Sequence, residues 1–275
     1  MKLISFQTKT GEDGFGVLAD EGVIDLTNRP AKTLREWLEL TAKGSLDASS
    51  ADGPLLPLDA FRFAPLIPNP DKIVCAGYNY KSHNEEVGKD LPPNPAVFLR
   101  ATNTLAAHEQ ALPHPVISDH FDYEGELAVI IGRQGRHVAE SDAMSLIAGY
   151  TCFLDGSVRD YQKHSPTAGK NFPSTGPIGP SLVTTNDIPD PTKLTLTTRL
   201  NGEVVQHSTT DLLIYSIPKI VSYVSAFTQL EPGDIIATGT PEGVGSRRTP
   251  PLWMKKGDTI EVEINEIGVL RNTIE

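Results

Sequence analysis

Two glutamates one residue apart, Glu124 and Glu126, head the segment Asp122-Tyr123-Glu124-Gly125-Glu126-Leu127-Ala128-Val129-Ile130-Ile131. Its apolar end is hydrophobic on both faces and predicts a buried strand. Residues i and i+2 of a strand share a face, so the two carboxylates would stand side by side, and two buried anions are costly unless a proton or cation compensates them. A hard divalent cation would do so; a solvated strand mouth with acids at its edge is the plainer alternative. Asp155 ends a second apolar run, Ala148 to Leu154, with Arg159 and Gln162 in the polar stretch that follows. Three oxygen ligands completed by waters is how Mg2+ or Mn2+ is usually held, whereas zinc calls for His or Cys at ligand spacing. The seven histidines include no His-Glu-x-x-His, which disfavours zinc, and a non-haem iron triad is disfavoured as well.

His83 and Glu86 lie three apart in a short stretch that predicts a helix, where both share a face and the carboxylate can orient the imidazole as a general base. A solvated helix face has the same spacing. Thr238 to Gly245 is glycine-rich but lacks the Gly-Lys-Ser/Thr ending of a nucleotide loop, so its amides would cradle a small anion at most, and a plain turn also accounts for it. No Gly-x-Gly-x-x-Gly follows a strand, and no Gly-x-Ser-x-Gly elbow occurs.

The elements that must position these residues are mostly strands. Asn201-Gly202 between Leu194 to Leu200 and Glu203 to His207 signals a type I′ hairpin, and Ile260, Val262 and Ile264 alternate with polar residues as a half-exposed strand. One helix stands among them: Pro218 suits its first position, and Ile220, Val221, Val224 and Phe227 recur at helical spacing. Near the start, strand-like segments around Leu3 to Phe6 and Gly16 to Leu26 precede a helix from Leu34, capped by Thr33 with Glu36 and presenting Leu34, Trp37, Leu38 and Thr41 on one face. From Ser45 to Lys72 the prolines suit an extended connection without regular structure. The pattern predicts an α+β, β-rich fold, with a small N-terminal α+β domain over 1–67 and a larger β-rich domain over 68–275.

The chain has 275 residues, with Lys+Arg 24 against Asp+Glu 35 and a net charge of −11. No basic cluster offsets that charge, so a nucleic-acid partner is not expected. Its apolar runs are far shorter than the roughly 18 residues a membrane span needs, and no signal-peptide core follows Met1. Cys75 and Cys152 each sit in an apolar stretch and read as core residues of a protein in a reducing, cytoplasmic setting.

Taken in order, the motifs carry a resemblance. Val74 to Tyr80 with His83 and Glu86, Asp122 to Leu127, Asp155 to Gln162, Gly169 to Phe172, and the tail segments Asn201-Gly202-Glu203, Leu230 to Asp234 and Thr238 to Gly245 together resemble the fumarylacetoacetate hydrolase family. The likeness spans about residues 70 to 275. Leu154, Gly156, Pro173 and Arg100 stand where the family commonly has Asn, Val, Asp and Lys. The resemblance implies a mixed β-roll catalytic domain, a Mg2+ or Mn2+ site at Glu124, Glu126 and Asp155, and a homodimer. It further implies a catabolic, metal-dependent hydrolase that cleaves a C–C bond in an acylpyruvate or related β-diketo acid.

In that reading His83, oriented by Glu86, deprotonates water, while Lys170 and Gln162 donate to the developing oxyanion. Arg159 and Lys170 offset the negative charge of the site, and Thr240 with its loop amides receives the carboxylate of a small anionic keto acid. The same enolate-stabilising site would serve an oxaloacetate-type decarboxylase or a keto–enol isomerase. A non-catalytic metal-dependent binder of small acids would have no need of the His83 and Glu86 pair.

Overall fold

The computed structural model describes residues 1–27, 30–45 and 52–275. Among these, strands outnumber helices and form an α+β, β-rich fold. The larger sheet runs Leu55–Pro57, Gly22–Asp25, Asp13–Ala19, Lys2–Thr8, Gly176–Thr184, Ile147–Leu154, Gly125–Ile131, Ile235–Ala237, Ile73–Gly77, Ala96–Arg100, with Phe61–Phe63 and Leu105–Ala106 attached at its side. Its pairing is mixed: Ile235–Ala237 runs parallel to Ile73–Gly77, and Leu105–Ala106 parallel to Gly176–Thr184. A second, antiparallel sheet runs Glu203–Thr209, Thr195–Leu200, Thr259–Ile264, Gly268–Thr273.

The Gly125–Ile131 strand is buried on both faces because it lies between two cores. Leu127, Val129 and Ile131 pack with Leu196 and Val262 of the second sheet. Ala128 and Ile130 pack with Cys75, Phe153 and Leu182 and, further out, with Leu34 and Trp37 of the Leu34–Ala42 helix. Each large aliphatic side chain removed from water there contributes about 1.5–3 kcal/mol. A Cβ at Gly125 would come within 2.1 Å of Thr198 Oγ1, so the bare backbone is what lets the second sheet close on this strand. Glu124 and Glu126 therefore point to the opposite face.

Thr33 caps its helix by accepting from Glu36 N at 3.1 Å, while Glu36 reaches back to Lys32 N at 2.7 Å. Leu34, Trp37 and Leu38 are buried as their spacing predicts. The Ile217–Phe227 helix starts one residue earlier than expected, with Ser216 as cap and Pro218 second. Ile220, Val221 and Val224 are buried, but Phe227, the last helical residue, is 53% exposed and meets Tyr223 edge-on. The Asn201-Gly202 turn closes its hairpin with both residues at positive φ, 54° and 84°, as a type I′ turn requires.

The proline-rich stretch departs from expectation where it is described; residues 46–51 lie outside the described residues. Leu55–Pro57 pairs with Gly22–Asp25 at the sheet edge, where a missing proline N–H costs nothing, and Phe61–Phe63 pairs with Lys2–Thr8. Lys2–Thr8 also bonds to Gly176–Thr184 through Lys2↔Val183 and Leu3↔Leu182. The hydrogen-bonded ladder is thus continuous across the division at residues 67 and 68.

Candidate active site

Glu124, Glu126 and Asp155 come together at the end of the central strands, all buried, each offering an oxygen within 4.8 Å of the others. The antiparallel pairing of Gly125 with Leu154 brings Asp155 beside Glu124, and Asp155 N donates to Glu124 O at 2.8 Å. Cations are threaded between the acids. Lys170, 1% exposed at the end of the Pro166–Lys170 helix, donates to Asp155 Oδ2 at 2.6 Å and Glu124 Oε2 at 2.7 Å. Arg159 bonds Glu124 Oε1 at 2.8 Å and Asp122 Oδ2 at 2.6 Å, and Arg100 bonds Asp155 Oδ1, Thr175 Oγ1 and Gly156 O.

The row has a gap at Glu126. Its one hydrogen-bond donor among the described residues is Gly239 N, at 2.9 Å. Burial, reinforced by the negative charges of Asp155 and Glu124, pushes its carboxyl well above the ordinary range. Glu124 shows the reverse. Burial opposes its ionisation, yet Lys170 and Arg159 outweigh it and hold the carboxyl at about 2. The same two acids raise Lys170 despite its burial. Four carboxyl groups (Asp122, Glu124, Glu126, Asp155) face three cations (Arg100, Arg159, Lys170), and Glu126 is the one without a cationic partner among the described residues, so its ionised form is the one left uncompensated. An all-oxygen set with one uncompensated buried carboxylate fits a hard divalent cation.

The triad opens into a cavity of about 750 Å3 also lined by His83, Arg159, Gln162, Lys170 and Thr240. His83 lies on the Lys81–Val87 helix with its Nδ1 3.1 Å from Glu86 Oε2. A carboxylate oxygen accepts only from a ring nitrogen that bears hydrogen, so this contact suits the tautomer with hydrogen on Nδ1, in which Nε2 is the basic nitrogen. Gly243 N donates to the other Glu86 oxygen at 2.9 Å. The pair is therefore fixed from two sides, unlike a solvated helix face.

Gln162 accepts from Arg159 Nη1 at 2.7 Å, leaving its amide nitrogen for other partners. Arg159 Nη2 is buried with no acceptor among the described residues. Thr240 lines the cavity, but its hydroxyl is committed, donating to Gly125 O and accepting from Gln206 Nε2, each at 2.9 Å.

Three neighbours of the candidate site escaped the sequence reasoning. Asp122, fully buried, accepts from Arg159 and from the backbone of Gly245 at 2.7 Å and Ser246 at 3.0 Å. Its place in the Asp-Tyr-Glu-x-Glu motif was the available signal. Arg100 showed only as a departure from the family pattern, and Gln206, which binds Gly125 N and Thr240, carried no signal at all.

Residues 72–275 match the family model described as fumarylacetoacetate hydrolase, C-terminal. Oxaloacetate tautomerase Fahd2a, mitochondrial, of Rattus norvegicus is 37% identical over all of this chain and 91% of its own. The fumarylacetoacetate hydrolase of Exiguobacterium antarcticum superposes with a TM-score of 0.88 at 32% identity, covering 100% of this chain and 99% of its own. Maleylpyruvate hydrolase of Sphingobium sp. SYK-6, solved with manganese(II) and pyruvate, does so with a TM-score of 0.81 at 28% identity, covering 100% and 98%. With motif order, fold, acidic triad and these matches in agreement, the chain belongs to the fumarylacetoacetate hydrolase family.

Proposed function

We propose that this protein is a divalent-metal-dependent enzyme of 2-oxo acids that moves a proton at the carbon beside the ketone, and that it interconverts the keto and enol forms of an oxaloacetate-like acid. The observation that carries this reading is His83, paired with Glu86, on the wall of the cavity that holds the acidic triad. The activity in the name of the rat relative supports it. Glu124, Glu126 and Asp155 would hold Mg2+ or Mn2+, which when bound would polarise the 2-oxo group and favour the enolate charge.

The chain's own residues do the rest. His83 Nε2 takes the proton from the carbon next to the ketone, and Glu86 stabilises the imidazolium that results. Returning that proton to the oxygen gives the enol, and returning it to carbon restores the ketone. Lys170 keeps a fixed positive charge beside the site of enolate formation. The unpaired Arg159 Nη2 and the Gln162 amide receive the substrate carboxylate; Thr240 contributes through its backbone N–H, since its hydroxyl is already bonded.

A second reading, C–C hydrolysis of an acylpyruvate with the same pair acting on water, is favoured by the cavity volume, which exceeds the needs of a four-carbon acid. The two are separated by incubating metal-loaded protein with oxaloacetate, following enol absorbance and CO2 release, and with acylpyruvates, following pyruvate release. Enol decay faster than the buffer rate is expected, and His83→Ala should slow it by about a hundred- to ten-thousand-fold. Pyruvate release with no acceleration of enol decay would replace this reading by hydrolysis, and CO2 release alone would replace it by decarboxylation.

A further inference from the structure

Two neighbouring arginines in the loop after Thr240 have different fates. Arg248 is spent on the backbone, donating to Gly243 O at 3.2 Å and Val205 O at 2.6 Å. Arg247 lines the cavity, yet its guanidinium has no hydrogen-bond or ion-pair partner among the described residues. Its position is nevertheless built. Asp122 accepts from Gly245 N and Ser246 N, Arg247 N donates to Val244 O at 3.1 Å, and Leu252 N donates to Gly245 O at 3.0 Å.

Lys89 and Lys163 line the same cavity, are exposed, and also lack an ion-pair partner among the described residues, whereas Asp160, the acid of that lining outside the triad, accepts from Ser118 at 2.7 Å and lies 3.8 Å from His120 Nδ1. Three uncommitted cations around one opening are notable in a chain of net charge −11. The deep end, with the triad, Lys170 and Arg159, can take the 2-oxo carboxylate by itself. A further anionic group on the substrate is what the outer cations would meet, and a guanidinium fork matches a carboxylate.

We infer that Arg247 is a specificity-determining residue that binds a distal carboxylate, which makes the site selective for 2-oxo dicarboxylates over 2-oxo acids with uncharged tails. The inference rests on the functional reading above and names the feature of the substrate that the outer wall recognises. Oxalate, too short to reach past the metal site, reports on the deep end alone; 2-oxoglutarate reports on both ends.

Titration calorimetry on the metal-loaded full chain, with KM measurements on oxaloacetate, tests it. Arg247→Gln should weaken 2-oxoglutarate binding and raise the oxaloacetate KM about tenfold, the loss of one charge-assisted contact, while kcat and the oxalate Kd stay within about twofold. Arg247→Lys should fall between the parent and Arg247→Gln. Unchanged 2-oxoglutarate and oxaloacetate constants in Arg247→Gln, with normal oxalate binding, would overturn the inference and leave the functional reading standing. Failure of the parent to bind oxalate would instead strike down the functional reading, and the inference with it.

Discussion

Lys170 sits between Asp155 and Glu124, and Arg100 and Arg159 close the two ends of that row, while among the described residues Glu126 has only a backbone N–H. The two glutamates consequently respond to pH in opposite senses. Glu124, held at about 2 against an ordinary 4.5, contributes stability above the ordinary value that is lost as pH falls toward 2. Glu126, raised by burial and its acidic neighbours, contributes stability at low pH that is lost as pH rises through its elevated folded value. Metal-free protein should therefore melt at lower temperature as pH is raised from about 5 to about 9, and added Mg2+ or Mn2+ should restore more at the higher pH. Glu126→Gln should flatten that slope and lose most of the metal-induced shift. Equal metal-induced shifts in the parent and in Glu126→Gln, measured by calorimetry, would place the cation elsewhere.

One loop gathers the parts of the site. Gly239 N donates to Glu126, Gly243 N to Glu86, and Gly245 N and Ser246 N to Asp122, so the acidic triad, the imidazole pair and Arg159 are all registered against the same backbone. A Cβ at Gly245 would lie 1.9 Å from Leu252 O and 2.6 Å from Asp122 Oδ1, which leaves glycine as the residue that fits. Asp122→Asn keeps the shape but removes the charge facing Arg159. It should cut turnover by about a hundredfold through misplacement, with metal affinity retained because Asp122 is outside the triad. Gly245→Ala should act in the same direction and lower the melting temperature as well. If hydrogen exchange at residues 243–247 and turnover both match the parent in Asp122→Asn, the loop is not held in this way.

Across the whole molecule, the N-terminal segment completes the larger sheet. Lys2–Thr8 covers the edge of Gly176–Thr184, and Leu3, Phe15, Leu34 and Trp37 pack in one core with Cys75, Phe153 and Leu182. The site carboxylates point to the face of the Gly125–Ile131 strand that this core supports. Cutting the chain at residue 68 would open a strand edge and an apolar face together. A fragment of residues 68–275 should aggregate or fail to melt cooperatively, as read by light scattering and calorimetry. A monodisperse fragment that binds Mg2+ with the parent's affinity would instead establish 68–275 as an autonomous domain.

Short-range pattern determined much of this protein. Period-2 and period-3.6 spacing reach only a few residues along the chain, and within that reach they placed Glu124 and Glu126 on one face, His83 beside Glu86, the Thr33 cap and the Asn201-Gly202 turn. The order of the motifs carried the family, and with it the pairing of Asp155 to the two glutamates. Other contacts depended on sheet register and loop path, which local periodicity does not encode. Asp122 meets Gly245 across 123 positions, Arg100 meets Asp155 across 55, and Lys2 pairs with Val183 in a strand that the local pattern assigned to another domain. The same physics hid the commitment of the Thr240 hydroxyl to Gly125 and Gln206, since whether a polar group is free for substrate is decided by what folds against it.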